Sequence, residues 1–441
     1  MNKLRRVYHF LLAWLGNVIY KNPSKHIFAL GVTGTKGKST VVEMINAIME
    51  AAGKRTAIVS SVRFKVGAEN RENRTGMTMP GRFFIQRFLR EAVDKDCQYA
   101  LVEVTSQGIS QFRDRFINFD AGLITNLHPE HIEAHGSFEN YRGTKISFFT
   151  HIGLYSEKKY KQFFINSGAK DYEMFADAAS DFGKIIFYNK KDLEKMNPAP
   201  FQGVSSHAER TGEFSRYSVA RSRGIQERCG MKWRIKLLGD FNLENIAAAV
   251  AFCRSQNVDW DIIKNVIENF DGVPGRLEFV QKDPFSIIID YAHTPDSLEK
   301  VYQAVKKNIS SKRTKGKMIC VLGCAGGGRD SWKRPVMGEI ASKYCDEIIL
   351  TNEDPFDDDP EMIIEQIAKG VRSSIYNKKF KSIIDRKDAI REAIKMAKKN
   401  DVVIVTGKGS EPFMRLEKGK KIPWSEREII RGIINELKIE I

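Results

Sequence analysis

From Ile27 onward the chain alternates short apolar runs with stretches of helical periodicity. The runs Ile27–Val32, Ala57–Ser60, Tyr99–Val104 and Ala121–Leu127 have strand length and end at turn residues. Strands that are apolar throughout are covered on both faces, as in a parallel α/β sheet. Gln202–Leu238 differs, with polar and apolar residues alternating and no helix signal, and this predicts antiparallel strands attached to that sheet. Helical spacing returns at Asn245–Arg254 and Asp261–Phe270, and the residues from Asp271 to Gly275 (DGVPG) then break the pattern. A second series follows at Phe285–Ile289, Met318–Gly323, Glu347–Thr351, Lys381–Ile384 and Val402–Thr406. It predicts a second doubly wound domain, Rossmann-like in topology.

Ahead of the first strand, Lys3, Arg5 and Arg6 precede the apolar run Val7–Tyr20. A secretory start would look similar, but no small-x-small cleavage site follows, and the run is shorter than the roughly 20 residues of a membrane span. The expectation is an amphipathic helix docked on the protein body, with reversible membrane contact through residues 7–20 as the alternative. The resulting organisation is α/β: an N-terminal helix over 1–26, a central domain with a parallel sheet plus attached antiparallel strands over 27–272, and a Rossmann-like domain over 273–441.

Across 441 residues, 71 basic side chains against 55 acidic ones leave a net charge of +16, so the surface should attract anions such as nucleotides or sugar phosphates. Composition is that of a globular chain, which excludes a disordered or fibrous one. Six cysteines (Cys97, Cys229, Cys253, Cys320, Cys324 and Cys345) are scattered without C-x-x-C pairs or histidines at zinc spacing, and a reduced cytoplasmic protein is expected.

The sharpest chemical signal is the segment from Gly31 to Thr40 (GVTGTKGKST), which follows a strand and opens a helix. Backbone N–H groups of such a loop cradle phosphates, a lysine adds charge at the β/γ-phosphates and a serine hydroxyl can ligate Mg²⁺. The strict P-loop pattern fails only at its first glycine, where Val32 stands. Glu103 ends one strand, and His128, Glu130, His131, Glu133 and His135 follow another. Oxygen and imidazole groups at strand ends beside a P-loop suit a divalent ion.

These residues carry a resemblance. The chain resembles the Mur ligases, ATP-dependent amide ligases of peptidoglycan precursor synthesis, and within them the MurE type, which adds the third amino acid to UDP-N-acetylmuramoyl-dipeptide. Matching segments fall in order: GVTGTKGKST, MTMPG ending at Gly81, EVTSQGISQFR from Glu103, ITNLHPEHIEAHGSFENY from Ile124, GDFNLEN from Gly239, GRLE from Gly275, DYAHTPDSLE from Asp290, GCAGGGRDSWKRPVMG from Gly323 and GKGSE from Gly407. The resemblance implies ATP and two Mg²⁺ ions as cofactors. It implies phosphate binding by Gly34, Thr35, Lys36, Gly37, Lys38, Ser39 and Thr40, one ion on Ser39, and another on Glu103 and His131. Lys145 stands where these ligases carry a carbamylated lysine. Asn242, Asn245, Arg276, Asp290 and His293 match positions that contact ATP. Thr78, Met79, Pro80, Ser106, Gln111 and Arg113 match the surface for the UDP-muramoyl-peptide, and Gly407 and Glu411 the pocket for a free amino acid.

Two departures accompany the resemblance. Only 30 residues precede Gly31, where Mur ligases of this type carry a UDP-binding domain. Phe356, in Thr351–Asp357 (TNEDPFD), occupies the place of the arginine that grips the distal carboxylate of diaminopimelate. With Glu353, Asp354, Asp357, Asp358 and Asp359 crowding the segment, an enzyme without preference for meso-diaminopimelate over lysine is expected. The competing readings are a folylpolyglutamate synthase-like ligase and a basic P-loop ATPase that binds nucleic acid. Against the second, no aromatic-and-basic platform is apparent in the sequence, and nucleic acid is not an expected partner.

Overall fold

The computed structural model describes residues 3–130, 132–195, 233–311, 316–328, 331–376 and 378–439. The chain forms two compact units, Met1–Lys236 with Phe241–Phe270, and Leu237–Asp240 with Asp271–Ile441.

The first unit is built on eight strands: β1 (Phe28–Thr33), β2 (Thr56–Val59), β3 (Arg63–Val66), β4 (Glu69–Glu72), β5 (Tyr99–Glu103), β6 (Ala121–Ile124), β7 (Gln162–Asn166) and β8 (Lys184–Tyr188). Their order is β4-β3-β2-β5-β1-β6-β7-β8. β1 lies between β5 and β6, parallel to both, so the loop that leaves β1 opens between the C-terminal ends of its neighbours. Buried Ala29, Val102, Phe119, Phe148 and Phe163 belong to the core on this sheet.

Antiparallel pairing occurs at β3 and β4, on the edge. It was expected over Gln202–Leu238, but 202–232 lie outside the described residues and 233–238 hold no strand. The β3–β4 ribbon turns at Gly67, and β4 (ENRE) is exposed throughout and charged at Glu69, Arg71 and Glu72, which discourages pairing of the open edge with another chain.

The N-terminal helix α1 (Lys3–Ile19) packs along α3 (Arg82–Asp94), and its Phe10 ring lies 5.2 Å from that of Phe116. No helix of the described residues is long and apolar enough to cross a membrane.

The second unit holds β9 (Glu278–Gln281), β10 (Ser286–Asp290), β11 (Met318–Leu322), β12 (Glu347–Leu350), β13 (Phe380–Ser382) and β14 (Val402–Thr406) in the order β13-β12-β11-β14-β10-β9, with β9 alone antiparallel. A small ribbon of β15 (Phe413–Arg415) and β16 (Lys421–Pro423) stands apart. The chain winds outward from β11 to β13 and returns with β14 between β11 and β10. Ligands of open α/β sheets bind at the strand ends beside such a reversal. The expectation of wholly reduced cysteines is corrected here, because Cys320 on β11 and Cys345, which leads into neighbouring β12, form a disulfide with Cα atoms 6.1 Å apart. Strand adjacency brings together two residues that are 25 apart in sequence. Cys97, Cys253 and Cys324 are free and buried, and Cys229 lies outside the described residues.

Candidate active site

The phosphate loop runs from β1 into α2 (Lys38–Ala51). Gly37 caps the helix at φ 82°, a left-handed conformation that suits glycine, and a Cβ there would stand 2.2 Å from Asn245 Oδ1. Gly34, at φ 139°, has Thr125 Oγ1 where its Cβ would go. The end of β6 latches the loop: Thr125 Oγ1 donates to Lys36 O at 2.7 Å, and Lys36 N donates to Asn126 Oδ1 at 2.9 Å. Lys38 Nζ folds back to donate to Gly34 O and Thr35 O, both at 3.0 Å. Thr35 Oγ1 meets the Tyr141 hydroxyl at 3.0 Å. Lys36 pairs with Glu130 at 2.6 Å, so Glu130, expected as part of an ion-binding cluster, serves the loop.

Ser39 and Glu103 are joined by Ser61, which follows β2. Ser39 Oγ and Ser61 Oγ are 2.8 Å apart, and Ser61 N donates to Glu103 Oε1 at 3.0 Å. All three sit at C-terminal strand ends or on the loop, and the Glu103 carboxylate is buried. A hydroxyl and a carboxylate so arranged are hard oxygen donors and fit Mg²⁺. Among the described residues no three His, Cys, Asp or Glu side chains gather into a metal-binding group, and His131 lies outside them. His135 Nε2 contacts Ser106 Oγ at 3.0 Å, and burial, with Lys145 nearby, lowers its pKa.

Lys145, on the helix Phe138–Tyr155, is buried, and its Nζ donates to Gly34 O at 2.8 Å. Its ammonium lies over the Tyr141 ring, 4.8 Å from the centroid. Burial, and then the neighbouring charge of Lys38, hold its pKa well below the usual lysine range. The ordinary alternative for a helix lysine, a solvated surface side chain, is therefore excluded.

The residues matched to the acceptor surface partly converge. Arg113 donates to Met79 O and, at 2.7 Å, to Gln111 Oε1, while Arg82 binds Gln111 O. Met79, Pro80 and Ser106 are buried, and Thr78 is half-buried. Next to Arg113, Asp114 is fully buried and neither of its carboxyl oxygens accepts a hydrogen bond. Burial pushes its pKa up to about 7, with Arg115 opposing the rise. A carboxyl raised on folding contributes stability that is present below its unfolded value near 4 and is lost as pH rises through about 7. Asp114→Asn should therefore stabilise the protein more at pH 8 than at pH 5, by about 2–3 kcal/mol. Chemical denaturation at the two pH values checks this; an equal effect at both would rule out a buried titrating carboxyl.

In the helix Phe241–Ser255, Asn245 Nδ2 donates to Asn242 Oδ1 at 2.9 Å, with both residues buried. In the second unit, the Asp290 carboxylate at the end of β10 accepts from Leu277 N and Ala292 N, both at 2.7 Å, and so shapes the turn around it. Arg276 lies over the Tyr291 ring at 4.2 Å, and His293 Nδ1 contacts Tyr291 O at 2.8 Å. Gly407, after β14, donates its N–H to Asp290 O at 3.1 Å. Glu411 receives Tyr291 OH at 2.9 Å and Lys408 Nζ at 2.6 Å, and buried Lys408 also reaches Asp354 Oδ1 at 2.8 Å. The acids around Phe356 are thus largely engaged. Asp354 pairs with Lys408, Asp358 with Arg334, Asp357 accepts from Lys418 N, and Asp359 caps the helix Pro360–Ser373. Arg415, on β15, places its guanidinium over the Phe356 ring, 5.7 Å from the centroid.

Ser61, Thr125, Asn126, Tyr141, Tyr291 and Lys408 were not among the residues expected to build the site. Five of them lie within matched segments, whereas Ser61 has only its place after a strand as a signal.

The family description "Mur ligase middle domain" matches residues 32–253, and "Mur ligase, glutamate ligase domain" matches residues 275–409. The UDP-N-acetylmuramoyl-L-alanyl-D-glutamate–2,6-diaminopimelate ligase of Aquifex aeolicus is 35% identical over 94% of this chain and 79% of its own length. The enzyme of that name from Syntrophomonas wolfei is 34% identical over 96% and 82%. A solved structure of such a ligase superposes with a TM-score of 0.58 at 24% identity, covering 94% of this chain and 79% of that one. The folylpolyglutamate synthase of Mycobacterium tuberculosis shares the fold at a TM-score of 0.62 and 15% identity, over 90% and 92%. The sequence likeness over nearly the whole chain, with both family domains in order, makes this chain a member of the Mur ligase family.

Proposed function

We infer that the chain is an ATP-dependent amide ligase of peptidoglycan precursor synthesis, joining a free amino acid to a UDP-N-acetylmuramoyl-peptide with release of ADP and phosphate. The observation that carries this is the phosphate loop with Lys38 and Ser39 linked through Ser61 to the buried carboxylate of Glu103.

The chemistry follows from the weakness of a carboxylate as an acylating agent. Its oxygen attacks the γ-phosphorus of ATP, the bond to ADP breaks, and an acyl phosphate forms. The amine then attacks the acyl carbon, a tetrahedral intermediate collapses, phosphate departs and the nitrogen loses a proton. Backbone N–H groups of Gly34–Thr40 orient the phosphates, and Lys38 offsets charge on the transferring group. Ser39 would hold one Mg²⁺, and Glu103 with His131 a second; bound there, the ions neutralise phosphate charge. In this reading Lys145 is carbamylated. Asn242, Asn245, Arg276, Asp290 and His293 contact ATP, Thr78, Met79, Pro80, Ser106, Gln111 and Arg113 face the acceptor, and Gly407 and Glu411 take the amino acid.

Screening amino acids for ADP release with UDP-N-acetylmuramoyl-dipeptide tests the reading. ADP release should require both acceptor and amine. Release with folates instead would favour the folylpolyglutamate synthase alternative, and amine-independent release with salt-sensitive nucleic-acid binding would favour the ATPase.

The amino acid is the finer point. The acids near Phe356 are mostly paired, which weakens repulsion of a distal carboxylate and leaves Phe356 itself to set the preference. A bidentate charge-assisted pair is worth about 1.5–3 kcal/mol, and without it a diacid loses about tenfold to a hundredfold in preference. The kcat/KM for meso-diaminopimelate should not exceed that for lysine by more than about tenfold. A larger ratio that Arg415→Ala abolishes would overturn this and assign the carboxylate to the guanidinium over the Phe356 ring.

A further inference from the structure

Helix α1 turns its small and polar side to the protein and its large apolar side outward. Ala13 is 1% exposed and Asn17 7%, and Gly16 lies against α3, where a Cβ would be in ordinary van der Waals contact with Phe83 Cα and Gln86 Cγ at 3.6 Å. On the opposite side Leu4, Val7, Leu11, Trp14, Leu15 and Val18 recur every three or four residues and are 78, 56, 53, 49, 40 and 48% exposed. A helix that serves only to cover a core shows the reverse arrangement. Six large apolar side chains in one stripe also exceed the scattered exposure normal on a protein surface.

The charges around the stripe narrow what covers it. No acidic residue occurs before Glu43, whereas Lys3, Arg5 and Arg6 begin the helix and Lys21 and Lys25 follow it. Lys21 and Lys25 are exposed, and Lys25 is paired with Glu157 at 2.6 Å, an exposed ion pair that a lipid phosphate could replace. A second copy would bring the same cations against these, on a chain that already carries +16. An anionic bilayer surface complements both features, offering an acyl boundary to the stripe and phosphates to the ammonium and guanidinium groups. At 17 residues the helix is too short to span a bilayer and suited to lying in its interface.

We propose that α1 is an interfacial anchor whose Leu4–Val18 stripe enters the headgroup–acyl boundary of anionic lipid bilayers, with its flanking cations on the lipid phosphates. The inference is independent of the ligase reading. The full chain is tested by co-sedimentation with vesicles of phosphatidylcholine containing roughly one third phosphatidylglycerol, and with pure phosphatidylcholine vesicles. Binding should be stronger on the anionic vesicles by about tenfold or more and should weaken with salt. The double variant Leu11→Glu/Leu15→Glu alters only exposed positions, so it should melt with the wild-type chain yet bind anionic vesicles about tenfold or more weakly. The proposal is overturned if the wild-type chain does not bind anionic vesicles, if it binds both compositions equally, or if the double variant binds as well as the wild type. A wild-type dimer that the double variant dissolves would assign the stripe to a second copy and overturn it equally.

Discussion

Replacing Lys38 by alanine is expected to slow ligation by about a hundredfold or more, because one transition-state cation contributes about 3 kcal/mol. Its Nζ rests on the carbonyls of Gly34 and Thr35, at the mouth of the loop where the β/γ-phosphates would sit. The loop conformation should survive the change, since Thr125, Asn126 and Tyr141 hold it through other atoms. The expected result is a variant with a wild-type melting curve and a collapsed kcat. Near-normal ligation by Lys38→Ala would remove the phosphate role assigned to this lysine.

The second large effect is at Lys145. A carbamate forms when a neutral amine adds to CO₂ and loses a proton, so a lysine held well below its usual pKa is prepared for it. The product is an anion beside Lys38, where the unmodified ammonium would be repelled. Lys145→Ala should be inactive, and short carboxylic acids such as acetate or formate should restore part of the activity by supplying the missing anion. Because Lys145 is buried and bonded to Gly34 O, the alanine variant also opens a cavity beside the loop. Nucleotide binding measured alongside activity separates the two effects: a merely structural lysine would lose ATP affinity without rescue, and that outcome would refute carbamylation. Full activity without additives would refute any role in the reaction.

Much of the first sheet was readable in advance because its inner strands are continuous apolar runs. β1, β2, β5 and β6 fall on the expected segments, as do β10, β11, β12, β13 and β14 in the second unit. The strands that escaped notice are of other kinds. β4 is ENRE, wholly polar, and exists as the outer partner of β3. β7 and β8 extend the sheet beyond β6 with the aromatic-rich segments QFFIN and KIIFY. The site shows the same division. Lys38, Ser39 and Glu103 were legible because each is fixed by its own strand-to-loop junction, whereas Ser61, which joins Ser39 to Glu103, is placed by the adjacency of β2 and β5.

By itself the sequence determined the alternation of strands and helices, the phosphate loop at the end of β1 and the carboxylate at the end of β5. Each depends on residues close together in the chain, whose backbone preferences and periodicity act locally. Tertiary structure alone decided that Lys145 reaches Gly34 across 111 residues, that Cys320 meets Cys345, and that Asp354 and Asp358, on either side of Phe356, are ion-paired. It also decided which side of α1 is buried. Helical periodicity separates an apolar face from a polar one, but burial follows from packing, and here Ala13 and Gly16 face α3 while Leu11 and Trp14 stand exposed.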